Sequence, residues 1–225
     1  MFALSEGVFL TTATSSLRER KRRQTRHRIV EAATALVVKH GFAHVTVDDI
    51  CRDADISRRT FFNYMDSKDE AVLGTMPARL DNASVEKLIN TATDDLVDAL
   101  LAHLAVAFAE ATDLGDRELQ QRLHERRREI LAAEPTVALI SHARFRDLGA
   151  HLREVVVKHL DAHPHRRRLP QEPVEKEAAV TVGLVREVVL ITSMNDQPNN
   201  GDAEELLTLW RANAEQITTV AKGYN

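Results

Sequence analysis

The sequence is poor in the residues that mark several classes of protein. It has a single cysteine, Cys51, which excludes an intramolecular disulfide and makes a reducing cytoplasm the expected compartment. Its apolar runs are shorter than the roughly 18 residues that a membrane-spanning helix requires. Only six prolines, eight glycines and 4% aromatic residues occur in 225 positions, whereas helix-forming residues are abundant. This composition predicts an all-α protein.

The net charge of −4 is distributed unevenly along the chain. Residues 1–80 contain thirteen lysines and arginines against ten aspartates and glutamates, so the remainder is strongly acidic. The densest basic stretch is LRERKRRQTRHR, residues 17–28. Such a stretch either solubilises the chain or contacts nucleic acid. The two parts of the chain are therefore expected to have different partners.

The beginning of the chain is interpreted as a leader followed by a helix. Residues 1–21 are taken as a flexible basic leader, because Glu6 interrupts their apolar part and they lack the pattern of a signal peptide. Apolar residues at helical spacing then predict a helix from Arg22 to His40. Gly41 follows where a glycine commonly ends a helix.

Cap signals predict three further short helices. Thr46 and Asp49 have the spacing of a capping box, which predicts a helix start, and Ser57 is the next cap candidate. SKDE, residues 67–70, is a capping box that opens a fourth helix, and Pro77 is expected to kink or divide it. The second and third helices, joined by a few residues, form a helix-turn-helix unit of the kind that lays its last helix in the DNA major groove.

The third predicted helix has two faces. Phe61 and Phe62 lie about 100° apart around a helix axis and cannot both face one core. Phe61 pairs with Met65 at i, i+4 and is predicted to be packed, whereas Phe62 is predicted to face outward. The other outward residues are Arg58, Arg59 and Asn63.

The same region resembles the N-terminal DNA-binding domain of the tetracycline-repressor (TetR/AcrR) family of bacterial transcription regulators. The resemblance is carried by RIVEAATALVVKH and the GFAHVTVDDICRDADISRRTFFNYMDSKDEAV that follows it. It covers about residues 26–75, and the remaining two-thirds match only in being helical. Departures from the family pattern are Cys51 for alanine, Arg59 for a small residue and Met65 for phenylalanine. Arg59 adds a charge where specificity is set.

The resemblance and side-chain chemistry together give a set of DNA-contacting candidates. Arginine can bond guanine O6 and N7, asparagine can bond adenine N6 and N7, and an aromatic edge can meet a thymine methyl. The candidates for base contact are Arg58, Arg59, Thr60, Phe62 and Asn63. The candidates for phosphate contact are Thr46, Ser57, Tyr64, Lys68, Arg22, Arg23 and Arg26. The alternative is that the arginines are only solvated and that Phe62 is partly covered by the first helix.

Residues 22–70 are thus assigned to the helix-turn-helix domain and 71–225 to a larger helical domain for effector binding and dimerisation. Helical stripes are predicted from Leu96 to Phe108, after Asp116, and from Pro135 through Leu139 to Leu160. The resemblance implies a homodimer through the last two helices, about 174–195 and 202–222. The alternative for the first of these is an ordinary buried core helix.

The resemblance also implies an effector cavity in the larger domain. The candidates for ligand binding are Leu100, His103, Leu104, Phe108, Leu123, His124, Arg144, Phe145 and Leu148. Most of these side chains would equally suit an ordinary core. Composition favours an apolar effector, and an acyl chain or acyl-thioester is one possibility.

No pattern in the sequence calls for catalysis or a cofactor. His159 and His163 stand at i, i+4, but Pro164 follows them, and a frayed helix end is favoured over a metal site. Cys51 lacks an evident histidine partner and is interpreted as an inert core thiol. Phosphate-binding, dinucleotide-binding and H-E-x-x-H motifs are missing. We therefore expect a protein that is not an enzyme and holds neither metal nor cofactor.

These observations predict a cytoplasmic, homodimeric transcription regulator that binds double-stranded DNA at a palindromic operator. A repressor released by a small apolar effector is favoured. A transcriptional activator, a non-catalytic helical adaptor dimer and an all-helical enzyme are the alternatives.

Overall fold

The computed structural model describes the backbone of residues 6–112, 114–195 and 202–223, and the side chains of residues 20–112, 114–192 and 202–223. Within these ranges the chain is helical and has no strand, which confirms the all-α prediction. The helices are α1 (Glu6–His40), α2 (Val47–Asp53), α3 (Arg58–Phe62), α4 (Lys68–Leu73), α5 (Asn82–Asn90), α6 (Leu96–Thr112), α7 (Arg117–Ala133), α8 (Pro135–Ala162), α9 (Val174–Asn195) and α10 (Ala203–Lys222).

The chain divides into two compact units. The first unit consists of Met1–Gly74 with Leu114–Arg127, and the second unit of Thr75–Asp113 with Arg128–Asn225. The first unit contains the helix-turn-helix, and the second is larger and helical. Residues 114–127, which the sequence placed with the C-terminal domain, thus pack in the first unit.

Helix α1 is the longest helix of the first unit. Its end is as predicted: Gly41 has a φ of +83°, and its N–H donates to the carbonyl oxygen of Val37 at 2.8 Å. Its start is not, because the helix begins at Glu6 rather than Arg22. The residues from Glu6 to 21, predicted to be flexible, lack a proline and are rich in good helix formers near Arg22, so nothing local ends the helix there.

Helix α2 begins with the predicted capping box. The Thr46 hydroxyl accepts from the N–H of Asp49 at 3.2 Å, and the Asp49 carboxylate accepts from the N–H of Thr46 at 3.0 Å. Hydrogen bonds to Thr46 lower the pKa of Asp49. Two otherwise unpaired donors at the helix start are thereby satisfied, which a helix of seven residues needs.

Helices α3 and α4 also begin at the predicted serines. Ser57 accepts from the N–H of Thr60 at 3.0 Å, and Ser67 accepts from the N–H of Glu70 at 3.1 Å. The reciprocal bond of the second box is displaced by one residue, since the Glu70 carboxylate accepts from the N–H of Asp66 at 2.6 Å. Each short helix therefore has a polar start encoded within four or five residues.

Helix α4 ends earlier than the sequence suggested. It stops at Leu73 and is followed by Gly74 with a φ of +90°, so Pro77 lies outside it and the prediction of a kink there is wrong. Arg127 explains the position, because its Nε donates to the carbonyl oxygen of Val72 at 2.8 Å. A Cβ on Gly74 would lie 3.1 Å from the same guanidinium, so the close approach suits glycine.

The segment Leu114–Arg127 joins the first unit through apolar and polar contacts. Leu119 and Leu123 are buried, and Nη1 of Arg126 donates to the carbonyl oxygen of Glu31 at 3.3 Å and to the hydroxyl of Thr34 at 3.4 Å. These partners lie on α1, some ninety positions earlier in the chain. No local sequence pattern could have indicated this pairing.

The second unit has one apolar core built from α5, α6, α8, α9 and α10. Trp210 of α10 is 1% exposed, and its ring meets that of Phe108 of α6 edge to face at 5.5 Å. The predicted stripe of α8 is buried from Phe145 onward, but Leu139 is 70% exposed and that part of the prediction is wrong. The buried residue in its turn is Val137, so the buried face is shifted there.

Helix α9 lies among α6, α8 and α10, which accounts for most of its apolar surface. Val185, Val188 and Val189 are buried in the core. Val180 is 52% exposed, and Gly183 has open space beside it. Helix α9 is thus largely a core helix with Val180 exposed on its surface, and its part in a dimer interface stays a prediction.

Candidate nucleic-acid interface

The turn between α2 and α3 sets the direction of α3. Asp55 has a φ of +51°, and the N–H of Ile56 donates to the carbonyl oxygen of Cys51 at 2.9 Å. Aspartate tolerates this left-handed conformation better than most residues do. The two helices are thereby joined by a tight and well-defined connection.

The two phenylalanines of α3 face different environments, as predicted. Phe61 is 0% exposed, whereas Phe62 is 49% exposed. Their rings are 5.2 Å apart at an interplanar angle of 84°, in edge-to-face contact. Phe61 and the buried Met65 therefore fasten α3 to the unit, and Phe62 lies on its outer surface.

The outer surface of α3 carries two arginines in different circumstances. Nη1 of Arg58 donates to both carboxylate oxygens of Asp48, at 2.9 and 3.0 Å, and its guanidinium carbon lies 6.0 Å from the centre of the Phe62 ring. Arg59 and Asn63 are exposed, and their side chains have no hydrogen-bond partner within the described ranges. Asp48 was not among the predicted contact residues, because a partner ten positions away across a turn follows no periodic pattern.

Three of the predicted contact residues carry hydroxyls near helix starts, and two of them, Thr46 and Ser57, cap the helix that follows. The hydroxyl of Thr60 lies 2.8 Å from that of Ser57, and Thr46 belongs to the capping box of α2. Thr46 and Ser57 are exposed, while Thr60 is half-buried. They lie at helix starts, where backbone N–H groups and the helix dipole favour anions.

Lys68 has a structural environment that the sequence did not indicate. Its ammonium donates to the carbonyl oxygens of Phe42 at 2.7 Å and Val45 at 2.9 Å, and lies 3.8 Å from the centre of the Phe42 ring. Burial lowers the pKa of Lys68. The ammonium of Lys68 thus holds the 3-10 turn Phe42–His44 against the start of α4. Tyr64, another predicted phosphate contact, is half-buried.

The three arginines of α1 differ in exposure. Arg22 and Arg23 are exposed and Arg26 is half-buried. The Arg23 guanidinium lies close to Gly115, which has a φ of +63°. All three belong to the first unit, as do the candidates on α2, α3 and α4.

The residues considered for metal binding and nucleophilic chemistry are occupied or buried. Burial, reinforced by Asp48, raises the pKa of the Cys51 thiol, the opposite of what a reactive cysteine requires. His159 and His163 each bond a backbone carbonyl, of Leu88 at 2.5 Å and of Ile89 at 2.9 Å. The residues with described side chains contain no cluster of three or more His, Cys, Asp or Glu that could hold a metal ion.

The ligand-binding candidates divide between the two units. Leu123 and His124 belong to the first unit, and the others to the second. Leu100, Leu104, Phe145 and Leu148 lie in the core of the second unit, with Phe108 packed against it, while His103 and Arg144 are half-buried. Burial lowers the pKa of His103.

A cleft of about 400 Å³ opens elsewhere in the second unit. Its lining comes from the start of α6, from α9 and from the second half of α10, and includes none of the ligand-binding candidates. Arg211 crosses it to Asp98 with bonds of 2.6 and 2.9 Å, which lower the pKa of that carboxyl.

Comparison with known proteins bears on the first unit. Residues 29–73 match the profile of the bacterial regulatory proteins of the tetR family. This part of the chain is similar to the N-terminal domain of TetR-family regulators. The matched stretch contains α2, α3, α4 and the second half of the described α1 side chains, and with them Arg58, Arg59, Phe62 and Asn63. Arg22, Arg23 and Arg26 lie before it.

Two curated proteins are similar to part of this chain. MftR of Mycobacterium tuberculosis, provisionally named a mycofactocin biosynthesis transcriptional regulator, is 40% identical over 87 residues. TcmR of Streptomyces glaucescens, an HTH-type transcriptional regulator, is 36% identical over 72 residues. The matches cover 38% and 32% of this chain, and the chain spans only 43% and 31% of those proteins.

Similarity to solved structures is low. A transcriptional regulator of Aquifex aeolicus VF5, described as belonging to the "TerR/AcrR family", is 16% identical. The alignment covers 87% of this chain and 99% of that one with a TM-score of 0.39. In the described part of the chain, no helix is long and apolar enough to cross a membrane.

Proposed function

We propose that this protein is a sequence-specific DNA-binding transcription regulator of the cytoplasm, and that it acts as a repressor. The observation that carries the proposal is the outer surface of α3 in a TetR-family domain. Arg59 and Asn63 there are exposed without partners in the described chain, and Phe62 lies beside them with half its surface in solvent. Exposure of an aromatic ring to water is unfavourable, whereas in the major groove the same ring can contact a thymine methyl while the arginines and the amide bond base edges.

The base-reading set comprises the outer residues of α3, namely Arg58, Arg59, Thr60, Phe62 and Asn63. The phosphate contacts come from residues around this surface, namely Thr46, Ser57, Tyr64, Arg22, Arg23 and Arg26. Lys68 contributes mainly by holding the 3-10 turn, because its ammonium already has two carbonyl acceptors. A phosphate would have to displace them or share the charge.

Dimerisation would occur through α9 and α10. Val180 of α9 and Val220 of α10 are 52% and 71% exposed, whereas other valines of α9, such as Val185 and Val188, are buried. A two-fold symmetric pair would cover these residues and repeat the reading helix on DNA. Half-sites would then lie about 34–36 Å apart, on successive major grooves of a palindromic operator.

Release from the operator would follow binding of a small apolar effector in the core of the second unit. The apolar candidates Leu100, Leu104, Phe145 and Leu148 support this chemistry, with His103 and Arg144 as half-buried polar groups nearby in sequence. A coupling of about 1–3 kcal/mol between effector and DNA binding is sufficient to change operator occupancy several-fold or more.

The test is selection of bound fragments from genomic DNA, followed by titration of the recovered sequence. We expect a palindrome, binding that weakens steeply with salt, and about tenfold or greater loss of affinity for Arg59→Ala and Asn63→Ala. Arg153→Ala, which removes an exposed arginine of α8, is the charge-matched control and should bind like the parent. Parental binding by both α3 variants would contradict the assignment of the reading surface.

The DNA recovered in this selection also distinguishes a repressor from an activator and from a helical adaptor. Transcription from the recovered site that rises with the protein would identify an activator instead. Recovery of no enriched sequence, with a stable dimer in solution, would favour a helical adaptor.

A further inference from the structure

An ion pair lies on the surface that is proposed to face DNA. Asp48 is in the first turn of α2 and Arg58 is the first residue of α3, so the pair spans the turn of the helix-turn-helix. Their side chains are 55% and 62% exposed. An exposed pair of this kind contributes little to folding, which leaves its position to be explained.

The geometry leaves one edge of the guanidinium available. Asp48 takes only Nη1 of Arg58, with bonds of 2.9 and 3.0 Å to its two oxygens. Nε and Nη2 have no partner anywhere in the described chain. Those two groups form a parallel fork, which is the arrangement that binds guanine O6 and N7.

A second contact restrains the same side chain. The guanidinium carbon of Arg58 lies 6.0 Å from the centre of the Phe62 ring, one turn further along α3. The bonds to Asp48 and the nearby ring both restrict the conformations of the Arg58 side chain in the absence of DNA. A group ordered in advance loses less freedom on binding.

We propose that Asp48 is a positioning residue for base recognition, which presents the Nε and Nη2 edge of Arg58 to a guanine. The inference rests on the proposed function. The carboxylate also opposes binding elsewhere, because a negative charge near the phosphates is unfavourable unless the arginine beside it finds its acceptors. Asp48 therefore acts on selectivity more than on affinity.

Arg59 provides an internal comparison. It lies next to Arg58 on the same helix, is exposed, and has no partner in the part of the chain that is described. Selectivity at the base pair that Arg58 reads should depend on Asp48, whereas selectivity at the base pair that Arg59 reads should not.

The experiment measures binding of the full chain to the selected operator, to each single-base variant of it, and to random duplex DNA. The variants are Asp48→Asn, Arg58→Ala, their double mutant, and Asp53→Asn, which removes an equal charge from the same helix. Arg58→Ala should identify the guanine. Asp48→Asn should reduce discrimination at that guanine about fivefold to tenfold, leave the other positions within about twofold, and raise affinity for random DNA several-fold. The double mutant should lose no more selectivity than Arg58→Ala.

Each other result counts against a stated claim. An unchanged base profile for Asp48→Asn, or the same change in Asp53→Asn, overturns the positioning role and leaves the proposed function standing. Retention of every base preference by Arg58→Ala also overturns the positioning role of Asp48. A parent chain that selects no sequence contradicts the proposed function, and this inference with it. Unchanged circular dichroism and melting temperature of each variant exclude a folding defect as the cause.

Discussion

The two units differ in the length of most of their helices. In the first unit, α2, α3 and α4 have seven, five and six residues, and each begins with a side-chain cap. In the second unit, α8, α9 and α10 have 28, 22 and 20 residues and meet in one apolar core. The short helices of the first unit are too short to persist alone and combine local polar contacts with a few buried anchors such as Phe61. The second unit relies on burial over long helices. Loss of a buried anchor should therefore destabilise either unit, whereas loss of a cap should matter mainly for the short helices of the first unit.

The largest effect is expected for the aromatic anchors. Trp210→Ala in the second unit and Phe61→Ala in the first should each lower the free energy of unfolding by about 3–5 kcal/mol, because both side chains are fully buried. Phe62→Ala should cost far less stability and instead weaken DNA binding. Urea titration followed by circular dichroism of the helices measures the stability of all three variants. Equal destabilisation by Phe61→Ala and Phe62→Ala would contradict the two-faced description of α3.

The second-largest loss of stability is expected when a buried ion pair is broken. Glu177 is 4% exposed and accepts from Nε of Arg167 at 3.0 Å and from the N–H of Arg168 at 2.6 Å. Arg167→Ala leaves that carboxylate without its cation and should cost about 3 kcal/mol or more. Arg211→Ala, which breaks the more exposed pair with Asp98, is the control and should barely change the urea midpoint. Similar losses in both variants would show that burial does not distinguish the two pairs.

Cap removal in the first unit should have a smaller effect. Ser57→Ala removes the acceptor for the N–H of Thr60 and should destabilise the unit by about 1 kcal/mol. Ser57→Asp preserves an acceptor at the same place and should retain most of the stability. Thermal melts of the three proteins at one pH provide the comparison. A loss in Ser57→Asp as large as in Ser57→Ala would mean that the hydroxyl does more than cap the helix.

Acid should act mainly on the second unit, with the smallest effect per residue. Burial lowers the pKa of His103, His151 and His159 from the ordinary value of 6.5. The native state thus prefers the neutral rings, and their contribution to stability is complete above that pH and declines as pH falls below it. The melting temperature should therefore drop as pH falls below about 6.5, above the range in which the carboxylates titrate.

His159→Asn tests that origin, because the amide can replace the bond to the Leu88 carbonyl without titrating. The variant should have a flatter pH dependence than the parent. An unchanged dependence would assign the acid effect to other groups.

The features that could be predicted from the sequence are those set by near neighbours in the chain. The hydroxyls of Thr46, Ser57 and Ser67 each accept from the backbone N–H three residues ahead, and Pro135 opens α8, so the information lies within one helical turn. The different exposures of Phe61 and Phe62 follow from helical geometry alone.

The features that were missed depend on residues far apart in the chain. The acceptors of Lys68 lie 26 and 23 positions earlier, and those of Arg126 lie more than ninety positions earlier. The exposure of Leu139 depends on which helix passes nearby, which periodicity does not encode. The effector candidates share this weakness, because a core side chain and a ligand-contacting one have the same apolar pattern.

The first unit is assembled from two stretches of chain that are separated by residues 75–113. A gene fusion cut after Gly74 would therefore separate α1 and α4 from Leu119, Leu123 and the guanidinium of Arg127. Recombination between relatives would have the same consequence. A crossover at that point combines residues 1–74 of one parent with the segment Leu114–Arg127 of the other, and the contacts between them would no longer match. Exchange of DNA specificity is consequently expected to tolerate substitutions on the outer surface of α3 far better than replacement of the whole N-terminal segment.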